Sequence, residues 1–329
     1  MSARLHVVLN PSAGGGRAHR IRTEVARELA AAGYRFDMTE TAASGEAVAI
    51  AERAAGEGAD VVLAVGGDGT IHEVANGMLR ALEQQPDLPA VLAVVPVGTG
   101  NDFTKMLDAR PGRPAAYERL RTGERRRIDV GLATWNGERE YFINAFGTGI
   151  DTQVVRAIQP LRSLPRPLVY LLGVSRALAG YVPTPVRVTI ADEQIEQSIM
   201  TLAVANGCCI GGSFRICPAA RPDDGLLDVC IVDRLPRRHQ PAMALRMLRG
   251  THTAHPAVLN RRSDRVTVEA AHGGPLEFQL DGEPRDVTYG GITLEVRAAA
   301  LPVLVPAGST LGGPGAASAT QPRSPGDRA

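Results

Sequence analysis

Lysine is almost missing from these 329 residues: it occurs once, at Lys105. A Walker-type phosphate loop needs a lysine directly before its last hydroxyl residue, so none is built here and any phosphate must be held another way. Excess charge is lacking too. Thirty-six basic against thirty-five acidic residues leave a net charge of +1, too little for the field that draws a protein to nucleic acid; no nucleic-acid partner is expected. No run approaches the roughly 20 apolar residues of a membrane-spanning helix, and the apolar stretch in MSARLHVVLN is too short for a signal peptide. The expected location is cytoplasmic, with any membrane contact peripheral. Cysteine is scarce: Cys208, Cys209, Cys217 and Cys230 lie among apolar or small neighbours without paired ligand spacing. Reduced, mostly buried thiols are expected, not disulfides or zinc.

What is present is a chain with 44% hydrophobic residues, long enough for two domains. Over residues 1–130 short apolar runs alternate with helical patterns, as in a parallel sheet with crossover helices. LHVVL (5–9), YRFDMTE (34–40), VVLAV (61–65) and VLAVVP (91–96) read as strands. Helices are expected from about Arg17, with Ile21, Val25 and Leu29 on one face, over 45–55, and after GGDGT. In the last of these Ile71, Val74, Ala75, Met78, Leu79 and Leu82 form one stripe, and Thr70 and Glu73 have the spacing of a capping box.

From about residue 131 to 298 short strands follow one another: IDVGLAT, REYFINAFG, VRVTIA, IMTLAVAN, LLDVCIVD, RVTVEA, LEFQL and ITLEVR. They read as an antiparallel β domain with helical insertions near 151–181 and 236–249. ALPVLVP, at 300–306, has the apolarity of a further strand, and the Gly, Ala, Ser and Pro of 307–329 read as a disordered tail.

Three glycine-bearing loops fall at C-terminal ends of the expected parallel strands: NPSAGGG (10–16), GGDGT (66–70) and PVGTGNDF (96–103). Ligands bind at that edge of an open α/β sheet. Glycines there let backbone N–H groups approach an anion, and a following helix N-terminus adds a favourable dipole. Asp68 is either a helix cap or a carboxylate for a cation or ribose; Asp102 is a turn residue or a second carboxylate for a magnesium–phosphate site.

NPSAGGG, GGDGTIHEVANG and PVGTGNDF, followed by NAFGTGID (144–151), DDGLLDV (223–229) and LDGEP (280–284), resemble the diacylglycerol kinase catalytic family of bacterial soluble lipid kinases, whose relatives include sphingosine and ceramide kinases. The resemblance covers about residues 4–305. GGDGT alone also occurs in NAD kinases; GTGNDF and LDGEP set this group apart. The resemblance implies a Rossmann-like parallel α/β nucleotide domain, a C-terminal antiparallel β-sandwich-like domain, ATP in the cleft between them, and a strand near 299–306 returning to the first domain.

Carried over by motif, Asn10, Ser12, Gly14, Thr41, Gly66, Gly67, Asp68, Gly69, Thr70, Glu73, Gly98, Thr99, Asn101 and Asp102 would contact ATP, with Asp68 and Asp102 near its Mg2+. Asp281 would be the general base with Glu283 beside it, although Leu280 to Pro284 also suits a plain hairpin turn. In the family a structural Mg2+ is held by a side chain three residues before the aspartate of the DG-L segment, by that aspartate and by a carbonyl two residues later. Those positions are Arg221, Asp224 and Leu226 here, and arginine has no acceptor to offer a cation. Either Arg221 points away and water completes the shell, or its guanidinium replaces the metal at Asp224.

The implied reaction is phosphorylation of a lipid alcohol, most simply diacylglycerol to phosphatidate. The alternatives are another alcohol, such as a sphingoid base, another glycerolipid or a polyol, and a catalytically silent nucleotide-binding protein. The apolar segment 167–182 is a core helix or a wall for the acyl chain. Arg156, Arg162 and Arg166, and the run Arg125 to Arg127, are solvated charges or contacts for a peripheral membrane surface. Oligomeric state is open, a homodimer included.

Overall fold

A computed structural model describes residues 3–311 except Thr99, Pro111, Ser213, Asp286, 159–172, 174–176, 178 and 179. Strands β1 (Arg4–Leu9), β2 (Arg35–Glu40), β3 (Val61–Gly66) and β4 (Val91–Pro96) run parallel in the order β4-β3-β1-β2. β3 and β4 are buried at every position, which their unbroken apolar sequences require: helices must cover both faces. On one face α3 (Glu46–Gly56) and α4 (Asp68–Gln84) bring Ile50, Ile71, Val74 and Met78 onto Val62 and Ala64. On the other, Val25 and Leu29 of α2 (Arg22–Ala31) meet Leu5, Val7 and Leu63.

Of two local expectations one holds with a break and one changes. Within α1 (Ala13–Arg20) the regular helix starts at Arg17 as expected, because Gly14 to Gly16 all have positive φ and form a loop of left-handed residues that only glycine adopts cheaply, and it gives way to α2 at Ile21. Thr70 and Glu73 do not form a capping box, because α4 already starts at Asp68. Glu73 instead accepts the N–H groups of Gly45 (2.9 Å) and Ala47 (3.3 Å), supplying partners to the free N-terminus of α3.

Past α5 (Asp102–Met106) and α6 (Arg113–Thr122) the strands become antiparallel: β5 (Glu124–Trp135), β6 (Glu138–Phe142), β7 (Ala145–Gly149), then, after α7 (Ile150–Ile158), β8 (Thr184–Ile190), β9 (Glu193–Ala205) and β10 (Leu227–Asp233). After α8 (Gln240–Arg249) come β11 (Val258–Ser263), β12 (Arg265–Ala270), β13 (Phe278–Leu280), β14 (Glu283–Pro284) and β15 (Ile292–Val305). They make a β-sandwich-like unit around Phe146, Phe278, Leu202 and Val204, with Trp135 edge-on to Phe278 at 5.2 Å.

β5 and β15 pair along their lengths, and the far end of β15 joins the parallel sheet at Val303 beside Leu92 of β4. Arg125 to Arg127 therefore stand on a strand opposite Leu304, Val303 and Pro302, with Arg125 bonded to the Pro89 carbonyl and Arg127 to that of Ala299. All three are exposed on that strand, as the reading of solvated charges expects. The chain also stays ordered past residue 306: Ser309 donates to the Leu107 carbonyl (2.9 Å) and Leu311 is fully buried. Residues 312–329 of the expected tail lie outside the described residues.

Candidate active site

One cleft of about 1380 Å³ opens at the C-terminal ends of the parallel strands and runs to the β13–β14 turn. Its lining includes Asn10, Ser12, Gly14, Thr41, Gly67 to Thr70, Glu73, Gly98, Asp102, Asp281 and Glu283. Gly66 ends β3 just below it, and Thr99 lies outside the described residues.

Hydrogen bonds knit the loops together. Asn10 Nδ2 donates to Thr70 Oγ1 (3.0 Å), while its Oδ1 accepts from the Ser12 amide and hydroxyl. Asp68 resolves the ambiguity of its sequence context: its carboxylate accepts the N–H groups of Asn101 (2.8 Å) and Asp102 (2.9 Å), capping α5 and not its own helix. The backbones close up around this contact. A Cβ on Gly98 would stand 2.9 Å from the Gly67 Cα, and one on Gly100 would stand 2.4 Å from Asp68 Oδ2. Neither Gly67 nor Gly69 has a positive φ; a Cβ on Gly67 would have room, whereas one on Gly69 would press on Glu283 Oε1 at 3.2 Å.

Burial, reinforced by the charge of Asp102, pushes the Asp68 carboxyl up to about 6 against the pull of three backbone N–H groups. Asp102 is fastened to the single lysine: Lys105 Nζ lies 3.1 Å from Oδ1 and also bonds the Gly212 carbonyl, while the Gly212 N–H donates to Oδ2 (2.8 Å). The only sequence signal for Lys105 was its i, i+3 spacing from Asp102. Both carboxylates keep unspent lone pairs. Among the described residues no group of three or more His, Cys, Asp or Glu forms a protein-only metal cage. The donor set suits a Mg2+ that takes one or two carboxylates and completes its shell with phosphate oxygens and water.

Asp281 and Gly282 form a two-residue turn, with φ of +51° and +85°, that pairs Leu280 with Glu283. The hairpin reading and the site reading of LDGEP both apply. The Asp281 carboxylate accepts the N–H groups of Ile143, Asn144 and Ala145 at 2.8–2.9 Å and faces His72 Nδ1 at 2.7 Å. Four donors fill its lone pairs, and 4% of its side chain is exposed. Among the described residues the Glu283 carboxylate has no such partners: its Oε1 lies beside Gly69, 3.2 Å from where a Cβ would stand.

His72, in α4, escaped the sequence reading altogether. It is buried, with Nδ1 on Asp281 and Nε2 2.7 Å from Glu140 Oε1, and Arg285 clamps the other side of Glu140. With an ionised carboxylate at each nitrogen the ring must donate twice, which only the imidazolium does. Burial opposes that charge, but hydrogen bonds to Asp281 and Glu140 outweigh it and raise the pKa to about 9; Glu140, with burial likewise overcome by Arg285 and His72, is held down at about 2. The GGDGT helix and the Asp281 turn, 209 residues apart in sequence, are thereby joined through one charged ring.

Beyond Asp281 the cleft becomes an apolar recess lined by Ile150, Val154, Met200, Ile210, Phe214 and Met247. Asp151 lies at the junction. Burial raises its carboxyl to about 6 against the pull of Gln279, which donates to Oδ2 (3.3 Å), and of the Thr152 N–H and Thr201 hydroxyl. Arg162, Arg166, Arg176 and most of 167–182 lie outside the described residues, and Arg156 is paired with Glu277 at 2.6 Å.

At the inherited structural-metal position the structure gives a third arrangement. Arg221 turns to Asp223 through two hydrogen bonds of 3.1 Å. Asp224 is bonded instead by Arg262 of β11, and its Oδ1 accepts the Leu226 N–H (3.1 Å). The residues do not suit a cation there: a guanidinium already holds the carboxylate.

Residues 4–133 match the diacylglycerol kinase catalytic domain, and 144–305 the YegS C-terminal NAD kinase beta sandwich-like domain. A diacylglycerol kinase of Bacillus subtilis (strain 168) is 30% identical over 291 residues, 88% of this chain and 91% of that one. The chain belongs to the diacylglycerol kinase family. A diacylglycerol kinase of Staphylococcus epidermidis is 29% identical over 294 residues, 88% of this chain and 87% of its own. The solved structure of a diacylglycerol kinase from Bacillus anthracis str. Sterne has the same fold, with TM-score 0.67, 21% identity and coverage of 92% and 97%. Family membership supports a phosphotransferase that uses ATP and an alcohol acceptor.

Proposed function

We propose that this chain transfers the γ-phosphoryl group of ATP to the hydroxyl of a lipid alcohol, most simply diacylglycerol, yielding phosphatidate and ADP. The observation that carries the reading is the continuity of one cleft from three glycine loops, past an acidic turn, into an apolar recess. Its volume exceeds that of an ordinary single-ligand pocket and accommodates a nucleotide and an acyl chain end to end.

On this reading the loops of Asn10 to Gly14, Gly66 to Thr70 and Gly98 to Asp102 hold the triphosphate, and Asp68 and Asp102 hold the divalent cation. The cation supplies charge neutralisation when bound. A bond forms from the acceptor oxygen to the γ-phosphorus as the bond from that phosphorus to the β,γ-bridging oxygen breaks. Positioning and charge neutralisation dominate such transfers, with a carboxylate taking the hydroxyl proton. The saturated carboxylate of Asp281 is ill suited to that task. We assign the proton to Glu283, whose carboxylate has no hydrogen-bonded partner among the described residues, and give Asp281 and His72 the work of holding the turn.

The test is transfer of label from γ-labelled ATP to a panel of lipid alcohols in mixed micelles. Label in phosphatidate is the expected result. ATP binding without label in any lipid alcohol would overturn the proposal.

A further inference from the structure

Charge in this nearly neutral protein is segregated. Between Asp233 and Asp264 lie thirty residues with seven arginines and no acidic residue. Arg261 and Arg262 are paired at the surface with Glu193, Asp224 and Asp228. The guanidinium groups of Arg234, Arg237, Arg246 and Arg249, all exposed residues, have no acidic partner among the described residues.

The same stretch contains α8, whose apolar residues face two ways. Met243 and Met247 point inward and are buried, as the i, i+4 spacing of a core-facing stripe requires. Leu245 and Leu248 point outward, 47% and 39% exposed, although apolar side chains of this size ordinarily go inside; Pro241 and Ala242 extend the exposed face. Arg246 and Arg249 stand within the same two turns. An outer face with leucines among arginines and no acid is the pattern of a helix that lies in the headgroup layer of an anionic bilayer.

Position decides the partner. Ala244 and Met247 of this helix line the cleft, and Met247 belongs to its apolar recess. The inner face of α8 therefore walls the recess that, on the reading above, takes the acyl chain, while its outer face carries the exposed leucines.

We propose that α8 is the membrane-docking element of this protein, seating Leu245 and Leu248 among the acyl chains of an anionic bilayer with Arg237, Arg246 and Arg249 on the headgroup phosphates. Docked this way, the apolar recess lies next to the bilayer and a lipid alcohol enters it without crossing bulk water. The partner is the bilayer surface; the link to acyl-chain entry rests on the lipid-kinase reading.

The experiment is flotation of the full chain, without ATP, with phosphatidylcholine vesicles and with vesicles containing phosphatidylglycerol, at low and high salt. The chain is expected to float with the anionic vesicles at low salt and to be released by salt as screening grows. At roughly fivefold per arginine, R246Q/R249Q should lower the apparent partition coefficient ~30-fold, and L245S/L248S several-fold. Both double variants should keep wild-type thermal unfolding and wild-type phosphorylation of a short-chain, water-soluble diacylglycerol, and lose phosphorylation of the long-chain lipid in vesicles. Failure of the wild type to float with anionic vesicles, or flotation of both variants like the wild type, would overturn the docking assignment. Vesicle binding with no phosphorylation of any lipid would leave the docking surface standing and remove the lipid-kinase reading.

Discussion

Arg262 reaches from β11 to bond Asp224, and its Nε stands 3.6 Å from Asp228 Oδ2. One guanidinium thus serves two carboxylates, Asp224 in the loop where the family resemblance implies a metal and Asp228 at the start of β10. Burial and the charge of Asp224 raise Asp228 to about 6, with Arg262 pulling the other way. Thermal unfolding should therefore be unchanged by EDTA in the absence of nucleotide. R262Q should introduce a dependence on added Mg2+, because two carboxylates then face each other unneutralised. An EDTA-sensitive melting temperature in the wild type would refute this.

Glu283→Gln should lower kcat by roughly 10² or more while leaving ATP affinity nearly intact, since only proton acceptance is removed. Asp281→Asn should show a different signature. It replaces a buried carboxylate that pairs with His72 and accepts three backbone N–H groups, and breaking a buried pair costs about 3–5 kcal/mol. Its melting temperature should fall with its turnover. A D281N protein of wild-type stability but no activity would return the base to Asp281.

Stability should depend on pH through His72 and Glu140. The folded-state pKa of His72 is raised to about 9 from 6.5, so its stabilisation is complete below about 6.5 and is lost as pH rises through 9. Glu140 is lowered to about 2 from 4.5, so its contribution is complete above about 4.5 and is lost as pH falls through 2. The two overlap fully between those limits. Melting temperatures from pH 6 to 10 should decline on the alkaline side in the wild type and decline less in H72Q; equal slopes would show that His72 does not carry the charge.

Gly100→Ala should be worse than Gly67→Ala. The first drives a Cβ to 2.4 Å from Asp68 Oδ2 and must unseat the cap of α5; the second meets only the Gly98 Cα at 3.7 Å. Calorimetric ATP titration and thermal melting of both variants, with the G100A protein indistinguishable from wild type, would contradict the packing argument. Gly69→Ala presses on Glu283 Oε1 at 3.2 Å and should lower kcat more than it raises the KM for ATP.

The elements of the parallel unit could be read from the chain because each rests on short-range pattern. VVLAV and VLAVVP are apolar on both faces, and the Ile71 to Leu82 stripe has a period that nothing but an amphipathic helix satisfies. LDGEP likewise carried its own turn, since Asp-Gly supplies two residues tolerant of positive φ. Glu73 was misread because a capping box and a carboxylate serving a neighbouring helix have the same local sequence.

By itself, then, the sequence determined the strands and helices, the three glycine loops at one sheet edge and the family motif, all of them matters of residue type and spacing along the chain. Only the tertiary structure decided the charges and contacts within the site. Lys105 meets Gly212, His72 meets Asp281, Arg262 rather than Arg221 meets Asp224, and Asp281 is filled by the backbone of Ile143 to Ala145. A side chain's ionisation and free lone pairs are set by what lies within a few ångströms of it through space, and here those neighbours come from 38 to 209 residues away along the chain.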